Sequence, residues 1–269
     1  MRFYRLLFKT FKFALLLKIL LISGCGGPSP WANWLPSGLN DLTRKSLEDL
    51  GSGESKSEFA VGLIADPQVT PGYLRMAAQR LNHRGDIDFS IILGDLTDRS
   101  LNEEFIWVGN IVVEAHRPML TIVGNHDGLI HGEEIYRSIF GPLNYTFQYG
   151  GVTFAMWNNN PYEWGYPDFD WLRQVIESHT KVIIVAHQPP RYIARYPSAN
   201  DELIELYQHP HVLGSVHGHR HHFELQTFSG KPAMTVARVI DEKYAIMLVH
   251  EDGRLTFDRC EGALCAPQP

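Results

Sequence analysis

The chain has 269 residues, of which 44% are hydrophobic and 20% are charged. This length and composition exclude a disordered chain and favour one globular domain with a sizeable core. Acidic residues number 30 and basic ones 24, and five of the basic residues lie within residues 1–24. The other 19 basic residues stand against 30 acidic ones, which argues against a nucleic-acid partner because the phosphate backbone attracts positive charge.

The first 24 residues have the pattern of an export signal. Basic residues come first, and the apolar run from Phe13 to Ile22, which Lys18 interrupts, is shorter than the roughly 20 residues that span a bilayer. The order Leu21-Ile22-Ser23-Gly24-Cys25 resembles a bacterial lipobox, which implies cleavage before Cys25 and lipidation of that cysteine. We therefore expect an exported lipoprotein anchored to the bacterial cell envelope on its periplasmic side, with a retained signal anchor as the alternative.

Residues 25–56 contain two stretches rich in Gly, Pro and Ser, near Gly26 and near Gly51. Such composition is typical of a flexible spacer, so the sequence predicts a lipidated tether over residues 25–56 and a folded domain over residues 57–269. Near the C-terminus, Cys260 and Cys265 form either a small-loop disulfide or two free thiols. The chain has no Cys-x-x-Cys pair, so any metal must use oxygen and imidazole ligands.

Short apolar runs alternate with helical patterns in the first part of the domain. Because this alternation is typical of a layered α/β domain, we predict buried strands and intervening helices there. The second half has mostly strand patterns, which we interpret as a second sheet packed on the first. The strands are predicted at Phe59–Ala65, Phe89–Leu93, Met119–Val123, Val182–Ala186, His211–Val216, His222–Phe228, Ala233–Val239, Tyr244–His250 and Leu255–Asp258, and the helices at Tyr73–Asn82, Glu103–Glu114 and Phe169–Ser178.

Five predicted strands end in residue types that bind metals, at the end where α/β folds build their sites. Each cluster alone is ordinary turn chemistry, because Gly, Asp and Asn are common turn formers. Five in succession instead indicate a metal centre. In chain order the clusters are Asp66-Pro67-Gln68, Gly94-Asp95-Leu96-Thr97-Asp98, Gly124-Asn125-His126-Asp127, His187-Gln188 and His217-Gly218-His219-Arg220-His221.

These clusters resemble the five sequence blocks of calcineurin-like metallophosphoesterases, and the resemblance covers nearly the whole exported domain. It implies an α/β fold with a two-sheet α/β/β/α sandwich, a centre of two divalent metal ions at the strand ends, and hydrolysis of phosphate esters by a metal-activated water. By the same resemblance, Asp95 bridges the two metals. The first metal is then held by Asp66, Gln68, Asp95 and His221, and the second by Asp95, Asn125, His187 and His219.

Two cations that share a carboxylate can clamp phosphoryl oxygens and lower the pKa of a water, and neutral Asn and His ligands preserve their Lewis acidity. Most members of the family carry His where this chain has Gln68. Because an amide oxygen is a harder donor than imidazole, we expect Mn, Fe or Mg rather than Zn at that position. The Asp-x-Gln version resembles a subset that includes manganese-dependent nucleoside-diphosphate-type pyrophosphatases.

The resemblance assigns His126 to catalysis rather than to metal binding, with Asp127 orienting its ring. Asp98 is expected to support the site, and His217 and His222 to be bystanders. Two segments, Trp157–Tyr166 and Gln188–Asn200, are candidates for a substrate rim that could bind phosphate through Arg191 or Arg195. An ordinary surface loop is the equal alternative for each segment.

We interpret the chain as a monomeric hydrolase of a small phosphorylated substrate, held at a membrane through Cys25 and without a nucleic-acid partner. The bond cleaved is that of a phosphomonoester, or of a phosphodiester or pyrophosphate. A protein phosphatase is less favoured, since those enzymes carry a GNHE-type block preceded by Arg, whereas Val123 precedes the GNHD block here. The alternative from another class is a metal-binding envelope lipoprotein that retains the fold without catalysis.

Overall fold

The computed structural model describes residues 29–51, 56–161, 165–193 and 197–268. In these residues two six-stranded sheets lie face to face, and helices cover the outer surface of each. This arrangement confirms the predicted α/β/β/α sandwich. The predicted signal peptide and Cys25 lie outside the described residues. No helix in the described ranges is both long and apolar enough to cross a membrane.

One half of the first sheet consists of three parallel strands near the start of the domain. β1 (Phe59–Ile64) pairs in parallel with β2 (Phe89–Leu93), which pairs in parallel with β3 (Met119–Ile122). On the other side of β1 the strands are antiparallel. That half contains β10 (Lys243–Val249), β11 (Leu255–Glu261) and β12 (Leu264–Pro267).

The second sheet has the strand order β4-β5-β6-β7-β9-β8. Its four central strands run parallel, so their carboxyl ends meet at one edge. Its strands are β4 (Tyr145–Tyr149), β5 (Val152–Trp157), β6 (Val182–Ala186), β7 (Val212–His217), β8 (Glu224–Phe228) and β9 (Lys231–Thr235).

Four helices pack on the outside of the first sheet: α1 (Leu42–Leu50), α2 (Pro71–His83), α3 (Asn102–Glu114) and α4 (Gly132–Ile139). The second sheet is covered by α5 (Phe169–Ser178) and α7 (Pro197–Gln208), with the short α6 (Pro190–Ile193) between them in the chain. Two 3₁₀ helices, Asn125–Gly128 and Ile240–Glu242, lie in connecting segments.

The alternation of side chains along β1 explains the layers. Val61 and Leu63 point into the core between the sheets, whereas Ala60 and Ile64 pack under the helices. Aromatic rings fill much of the space between the sheets, and the rings of Phe147 and Phe154 stack at 4.8 Å. Burying each such side chain contributes roughly 1.5–3 kcal/mol to folding, so this inner layer stabilises the contact between the two sheets.

The predicted spacer over residues 25–56 is wrong for part of its length. Leu39 and Leu42 lie in the core beneath the first sheet, and the Ser46 hydroxyl donates to the carbonyl of Met119 at 3.0 Å. Helix α1 buries its apolar side because leucines recur at helical spacing there. The folded unit therefore begins before Ser57, and Gly51 follows the last residue of α1.

The assignment of strands to sheets also differs from the prediction. Val182–Ala186 is a strand as predicted, but it belongs to the second sheet, and β10 and β11 return to pair beside β1. The prediction missed β4, β5 and β12, together with α1, α4, α6 and α7. Of the two alternatives for Cys260 and Cys265, the structure has the disulfide, which joins residues that face each other across β11 and β12.

Candidate metal centre

The five polar clusters all lie at the same edge of the sandwich. Asp66, Asp95 and Asn125 follow the carboxyl ends of β1, β2 and β3, and His187 and His219 follow those of β6 and β7. Because the parallel strands of the two sheets end at this edge, side chains far apart in sequence converge on one point. The structure thus brings together every residue predicted as a metal ligand.

The backbone at this edge is held in conformations that most residues avoid. Asp66, Gln68, Asp95, His219 and His221 have φ angles of 51°, 36°, 51°, 70° and 59°. Left-handed conformations in residues other than glycine cost free energy and cluster at functional sites. With these backbone conformations, the carboxylate and imidazole groups of this set point towards a common centre.

Glycine is required where two of these turns touch. A Cβ atom on Gly124 would come within 2.1 Å of the Asp95 backbone nitrogen, and one on Gly94 within 2.6 Å of the His187 ring. No side chain fits in either place. These two glycines let the loops after β2 and β3 approach closely enough to share Asp95.

Asp95 lies at the middle of two groups of possible ligands. The ligand atoms of Asp95, His187 and His219 all lie within 4.8 Å of one another, and so do those of Asp66, Asp95 and His221. We call Asp95, Asn125, His187 and His219 the His187 half of the centre, and Asp66, Gln68, Asp95 and His221 the His221 half. Asp95 is common to both halves, and it is the residue that the family resemblance implies as the bridging carboxylate.

Hydrogen bonds orient the ligands of the His187 half. The Nδ1 atom of His187 lies 2.7 Å from the carbonyl of Leu93, so Nδ1 carries a proton and donates to that oxygen. The Nε2 atom, 3.3 Å from Asp95 Oδ1, is then the nitrogen that can bind a metal. The Nδ1 atom of His219 lies 3.0 Å from Asn125 Oδ1. Each ring therefore presents one nitrogen to the same small volume.

The His221 half is more open. Asp66 is fully buried and accepts hydrogen bonds from the His219 backbone nitrogen at 3.0 and 3.1 Å. The Nε2 atom of His221 is 3.8 Å from Asp66 Oδ1, but its side chain is 45% exposed. Gln68 donates from Nε2 to Asp95 Oδ2 at 3.0 Å, so its amide oxygen is the atom that can bind a cation.

Burial and charge shift the pKa values of this cluster in opposite directions. Burial raises the pKa of Asp66 to about 7. Burial also acts to raise the pKa of Asp95, but the charge and hydrogen bond of His187 outweigh it and lower that pKa to about 2. Burial acts to lower the pKa of His187, but Asp95 outweighs it and raises that pKa to about 9.

The donor set fits divalent cations. Two buried carboxylates must be neutralised by protons, by paired cations or by metals, and here they lie among imidazole and amide donors. Imidazole suits transition metals, and the amide oxygens of Asn125 and Gln68 suit harder ions. The described residues of this cluster can therefore hold two cations that share Asp95.

His126 stands at the mouth of the centre. Its backbone nitrogen donates to Asp95 Oδ1 at 3.0 Å, and its Nδ1 atom lies 2.9 Å from the carbonyl of Asp98. Partial burial acts to lower the pKa of His126, but the Asp98 carbonyl and the carboxylates of Asp95 and Asp98 outweigh it and raise that pKa. Because a carbonyl can only accept, Nδ1 holds a proton and Nε2 is left to act on a substrate.

The predicted role of Asp127 in orienting the His126 ring needs correction. The Asp127 carboxylate is buried and accepts hydrogen bonds from the backbone nitrogens of Leu96, Thr97 and Gly124 at 2.8–3.1 Å. It fastens the loop after β2 to the loop after β3. The partner of the ring is Asp98, through a backbone atom that no side-chain motif reveals.

The two histidines expected to be bystanders contact other groups. His217 is buried, with Nδ1 2.8 Å from the carbonyl of Ala186 and Nε2 2.7 Å from Ser215 Oγ. Burial lowers the pKa of His217 to about 3, so the ring is neutral and supports the sheet. His222 is exposed and lies 3.7 Å from Glu224.

The sequence prediction missed an amide network behind His187. Asn159 and Gln188 exchange two hydrogen bonds, at 2.7 and 3.0 Å. Asn160 donates to the carbonyl of Val123 at 3.2 Å and accepts from Gln188 at 3.2 Å. This network ties the ends of β3, β5 and β6 together, and the run of three consecutive Asn residues was its only signal in the sequence.

Arg238 is a second residue that the prediction missed. Residue 238 pairs with Ala65 in an isolated bridge beside Asp66. Its positive charge acts to lower the pKa values of both Asp66 and His221. No motif marks it, because it reaches the centre from the segment after β9.

The two predicted rim segments differ. In the first, Trp157 is buried, whereas Tyr166 is 59% exposed. In the second, Arg191 is exposed and donates to the carbonyl of Thr227 at 3.5 Å, and Arg195 lies outside the described residues.

Comparison with known proteins identifies one family and several solved structures with a similar fold. The sequence pattern of the calcineurin-like phosphoesterases matches residues 59–223. No protein in the curated collection of characterised sequences matches the chain.

Solved structures with a similar fold include three that cover most of this chain. A purple acid phosphatase from yellow lupin seeds has a TM-score of 0.61 and 14% identity over 81% of this chain and 54% of its own. PhoD has a TM-score of 0.58 and 8% identity, with 81% and 73% covered. GAP50, the anchor in the inner membrane complex of Plasmodium, has a TM-score of 0.56 and 12% identity, with 79% and 89% covered. The chain thus spans about half the length of the lupin phosphatase, and these likenesses concern the fold.

Proposed function

Because this chain belongs to the calcineurin-like phosphoesterase family, we propose that it hydrolyses phosphate esters at a centre of two divalent cations that share Asp95. The observation that carries the proposal is the convergence of Asp66, Asp95, His187, His219 and His221 in two overlapping groups of ligand atoms. Each group combines residues that are far apart in the sequence, so the fold itself assembles the centre.

Each half of the centre would hold one cation. The His187 half would hold one through Asp95, Asn125, His187 and His219, and the His221 half the other through Asp66, Gln68, Asp95 and His221. When bound, the two cations supply Lewis acidity that polarises a phosphoryl oxygen and stabilises the charge that develops in in-line displacement. Mn, Fe or Mg is proposed over Zn beside Gln68, because an amide oxygen is a hard donor.

Residues of the chain itself would position the substrate and protonate the leaving oxygen. His126 is only partly buried, so its ring can reach a bound phosphate ester, and its raised pKa favours the protonated form. With Nδ1 held by the Asp98 carbonyl, Nε2–H can donate its proton to the leaving oxygen. Asp127 and the amide network would hold the loops after β2, β3 and β5 in place without contacting the substrate.

The bond cleaved is that of a small phosphorylated substrate, either a monoester or a diester or pyrophosphate. Among the proteins with a similar fold is a putative 5′-nucleotidase from Staphylococcus aureus, with a TM-score of 0.50 and 14% identity over 78% of this chain and 54% of its own. The proposal is tested by assaying the Mn-loaded chain against aryl phosphate monoesters and diesters, beside His126→Ala. We expect turnover by the wild type and its loss in the variant. Two bound metals without turnover of either ester would favour the non-catalytic alternative.

The proposal extends to the place where the chain acts. Export by the signal of residues 1–24 and lipidation of Cys25 would hold a monomer at the membrane on the periplasmic side of the cell envelope, with no nucleic-acid partner. The disulfide between Cys260 and Cys265 supports this, because disulfides persist in oxidising compartments. Metabolic labelling with a fatty acid tests it, and a Cys25→Ser chain that still carries the label would contradict it.

A further inference from the structure

Four large apolar side chains are exposed at the edge of the sandwich that carries the metal centre. Leu129 and Ile130 are exposed in the loop before α4, and Ile130 is 67% exposed. Val69 is exposed directly after Gln68, and Trp34 is exposed near the start of the described chain. We call Trp34, Val69, Leu129 and Ile130 the apolar rim. Exposed apolar surface around a polar site is typical of a face that contacts another protein or a membrane.

The loop that carries Ile130 is fixed in an unusual conformation. Ile130 has a φ angle of 54°, which is a genuine outlier for a β-branched residue. The loop is held on both sides of it, because the Leu129 backbone nitrogen donates to Ser100 Oγ at 2.9 Å and the Gly132 nitrogen donates to the Leu129 carbonyl at 2.8 Å. Strain of this kind is concentrated at functional positions. The structure therefore presents Ile130 to the outside at a cost in free energy.

The first described residues of the chain lie at the same edge. The Trp31 ring nitrogen donates to the Arg99 carbonyl at 3.2 Å. Asn102 donates from its backbone nitrogen to the Pro30 carbonyl at 2.9 Å and from Nδ2 to the Trp34 carbonyl at 2.8 Å. Arg99 follows the residue whose carbonyl contacts the ring of the proposed proton donor. These contacts place the start of the described chain beside the mouth of the metal centre.

The proposed lipid anchor is close to this edge in the sequence. Pro30 comes five residues after Cys25. Because an extended chain spans at most about 3.6 Å per residue, a lipid on Cys25 would hold Pro30 within roughly 18 Å of the membrane surface. The turns at Gly150 and Asp252 lie at the other ends of the strands, a strand length or roughly 17–20 Å further away. The anchor therefore favours the edge with the metal centre as the one that faces the bilayer.

The chemistry of this surface fits a phospholipid bilayer better than a charged partner. Arg99 is exposed and lies 3.5 Å from the carboxylate of Asp98, and Glu133 and Glu134 are exposed at the start of α4. Positive and negative groups thus alternate around the apolar rim, so net charge does not select a partner. Trp34 has the amphipathic ring that is typical of the boundary between headgroups and acyl chains.

We propose that the apolar rim docks on the phospholipid surface of the membrane and turns the mouth of the metal centre towards the headgroups. Leu129, Ile130 and Trp34 would enter the boundary between headgroups and acyl chains, with Arg99 at the level of the lipid phosphates. The inference goes beyond the proposed hydrolysis and beyond the lipid anchor, because it assigns a face of the folded domain to the membrane.

The first test measures which edge of the domain contacts the lipid. The full chain, purified from membranes, is placed in nanodiscs of phosphatidylethanolamine and phosphatidylglycerol that contain a lipid with a spin label on its acyl chain. A fluorophore is attached to Ile130→Cys, or to Asp252→Cys as the matched control, since the Asp252 side chain is 66% exposed at the opposite edge. The disulfide keeps Cys260 and Cys265 unlabelled, and the wild type gives the background from Cys25.

We expect the spin label to quench the fluorophore at position 130 at least three times more strongly than the one at position 252. Trp34→Cys provides a second labelled position on the apolar rim, where the loop before α4 is unchanged, and it should behave as Ile130→Cys does. Quenching at both rim positions that only equals quenching at position 252 would overturn the proposal.

The second test removes the anchor. Residues 26–269 contain every described residue, and their binding to vesicles of the same two lipids is measured by co-sedimentation. We expect binding that falls at least fivefold in Ile130→Ser and changes little in 0.5 M salt. Val113→Ser is the matched control, because Val113 is 58% exposed at the far end of α3. A chain that does not bind, or an Ile130→Ser chain that binds as Val113→Ser does, would refute the docking.

The competing occupant of the apolar rim is a second copy of the chain. Analytical ultracentrifugation of residues 26–269 should give a monomer. A dimer that Ile130→Ser dissociates would assign the rim to the second copy and overturn the lipid proposal. None of these measurements requires turnover or a bound metal. If no ester is cleaved, the proposed function fails, and quenching and co-sedimentation still decide whether the rim docks on lipid.

Discussion

The two halves of the metal centre share Asp95 but differ in how deeply their other ligands lie. His187 is fully buried and fixed by a backbone carbonyl, whereas the His221 side chain is 45% exposed and Gln68 contributes only an amide oxygen. Burial and a fixed ring orientation favour tight metal binding, and exposure favours exchange. We therefore expect the His187 half to hold its cation more tightly and the His221 half to determine which metal the protein selects.

The largest effect is expected from the residue that the halves share. Asp95→Asn removes the common negative charge, and metal catalysis contributes several kcal/mol, so turnover should fall by about 10³-fold or more. Steady-state kinetics at saturating Mn measure this loss. Asn110→Asp serves as the control for a general effect of substitution, and a reduction of less than tenfold in Asp95→Asn would argue against a shared ligand.

A matched pair of variants compares the halves directly. His187→Asn should weaken metal binding more than His221→Asn, because the buried ring is oriented by Leu93 and the exposed one has looser contacts. Titration calorimetry of the metal-free variants measures the two dissociation constants, and we expect a difference of about tenfold or more, in line with the effect of ligand orientation. Equal losses would remove the distinction between the halves.

The metal preference of the His221 half is expected to depend on Gln68. In Gln68→His an imidazole replaces an amide oxygen, so the preference for Zn over Mn should rise by about tenfold. Competition between the two metals, followed by elemental analysis, measures the ratio. Gln174→His, which changes the same residue type at an exposed position of α5, is the comparison variant. No change of ratio in Gln68→His would mean that Gln68 does not bind the metal.

Removal of the metals by chelation should make the stability of the protein depend on the protonation of His187 and Asp66. In the metal-free protein the pKa of His187 is about 9, against 6.5 when it is unfolded, so its contribution to stability is complete below pH 6.5 and lost as pH rises to about 9. The pKa of Asp66 is raised from 3.8 to about 7, so its contribution to stability is also lost as the pH rises, between pH 3.8 and about 7. Urea denaturation should therefore give a free energy of unfolding that falls between pH 6.5 and 9.

Metal loading should abolish that decline, because a metal ligand must be neutral at the imidazole and ionised at the carboxylate. His187→Gln, measured after chelation, should also lose most of the slope. A metal-free wild type whose stability rises over this pH range would contradict the assigned ion pair.

Much of the centre could be predicted because its ligands come from local motifs. Five strand ends carried Asp, Asn or His in succession, and parallel strands must bring such ends to one edge. The partners that orient these residues were not predictable in the same way. The carbonyls of Leu93 and Asp98 are backbone atoms, and Arg238 reaches Asp66 from a distant segment, so none of them leaves a signal in the sequence.

The fold was predicted best where patterns were local and strong. The buried strands Phe89–Leu93 and Val182–Ala186 and the helix Phe169–Ser178 have the bounds that the sequence predicted. The β4–β5 hairpin was missed although Gly150 and Gly151 have the positive φ angles of a tight turn between alternating residues. Sheet membership was also missed, since pairing of β10 with β1 joins segments more than 180 residues apart and depends on the packing of the whole domain.

The most direct test of the account is the number and coupling of the metals that the chain binds. The Mn-reconstituted chain, freed of excess metal, is measured by elemental analysis and by electron paramagnetic resonance. The account predicts two Mn ions per chain with the spectrum of an exchange-coupled pair, and the loss of that coupling in Asp95→Asn. A wild type that binds two uncoupled ions, or only one, would contradict a centre built around a shared Asp95.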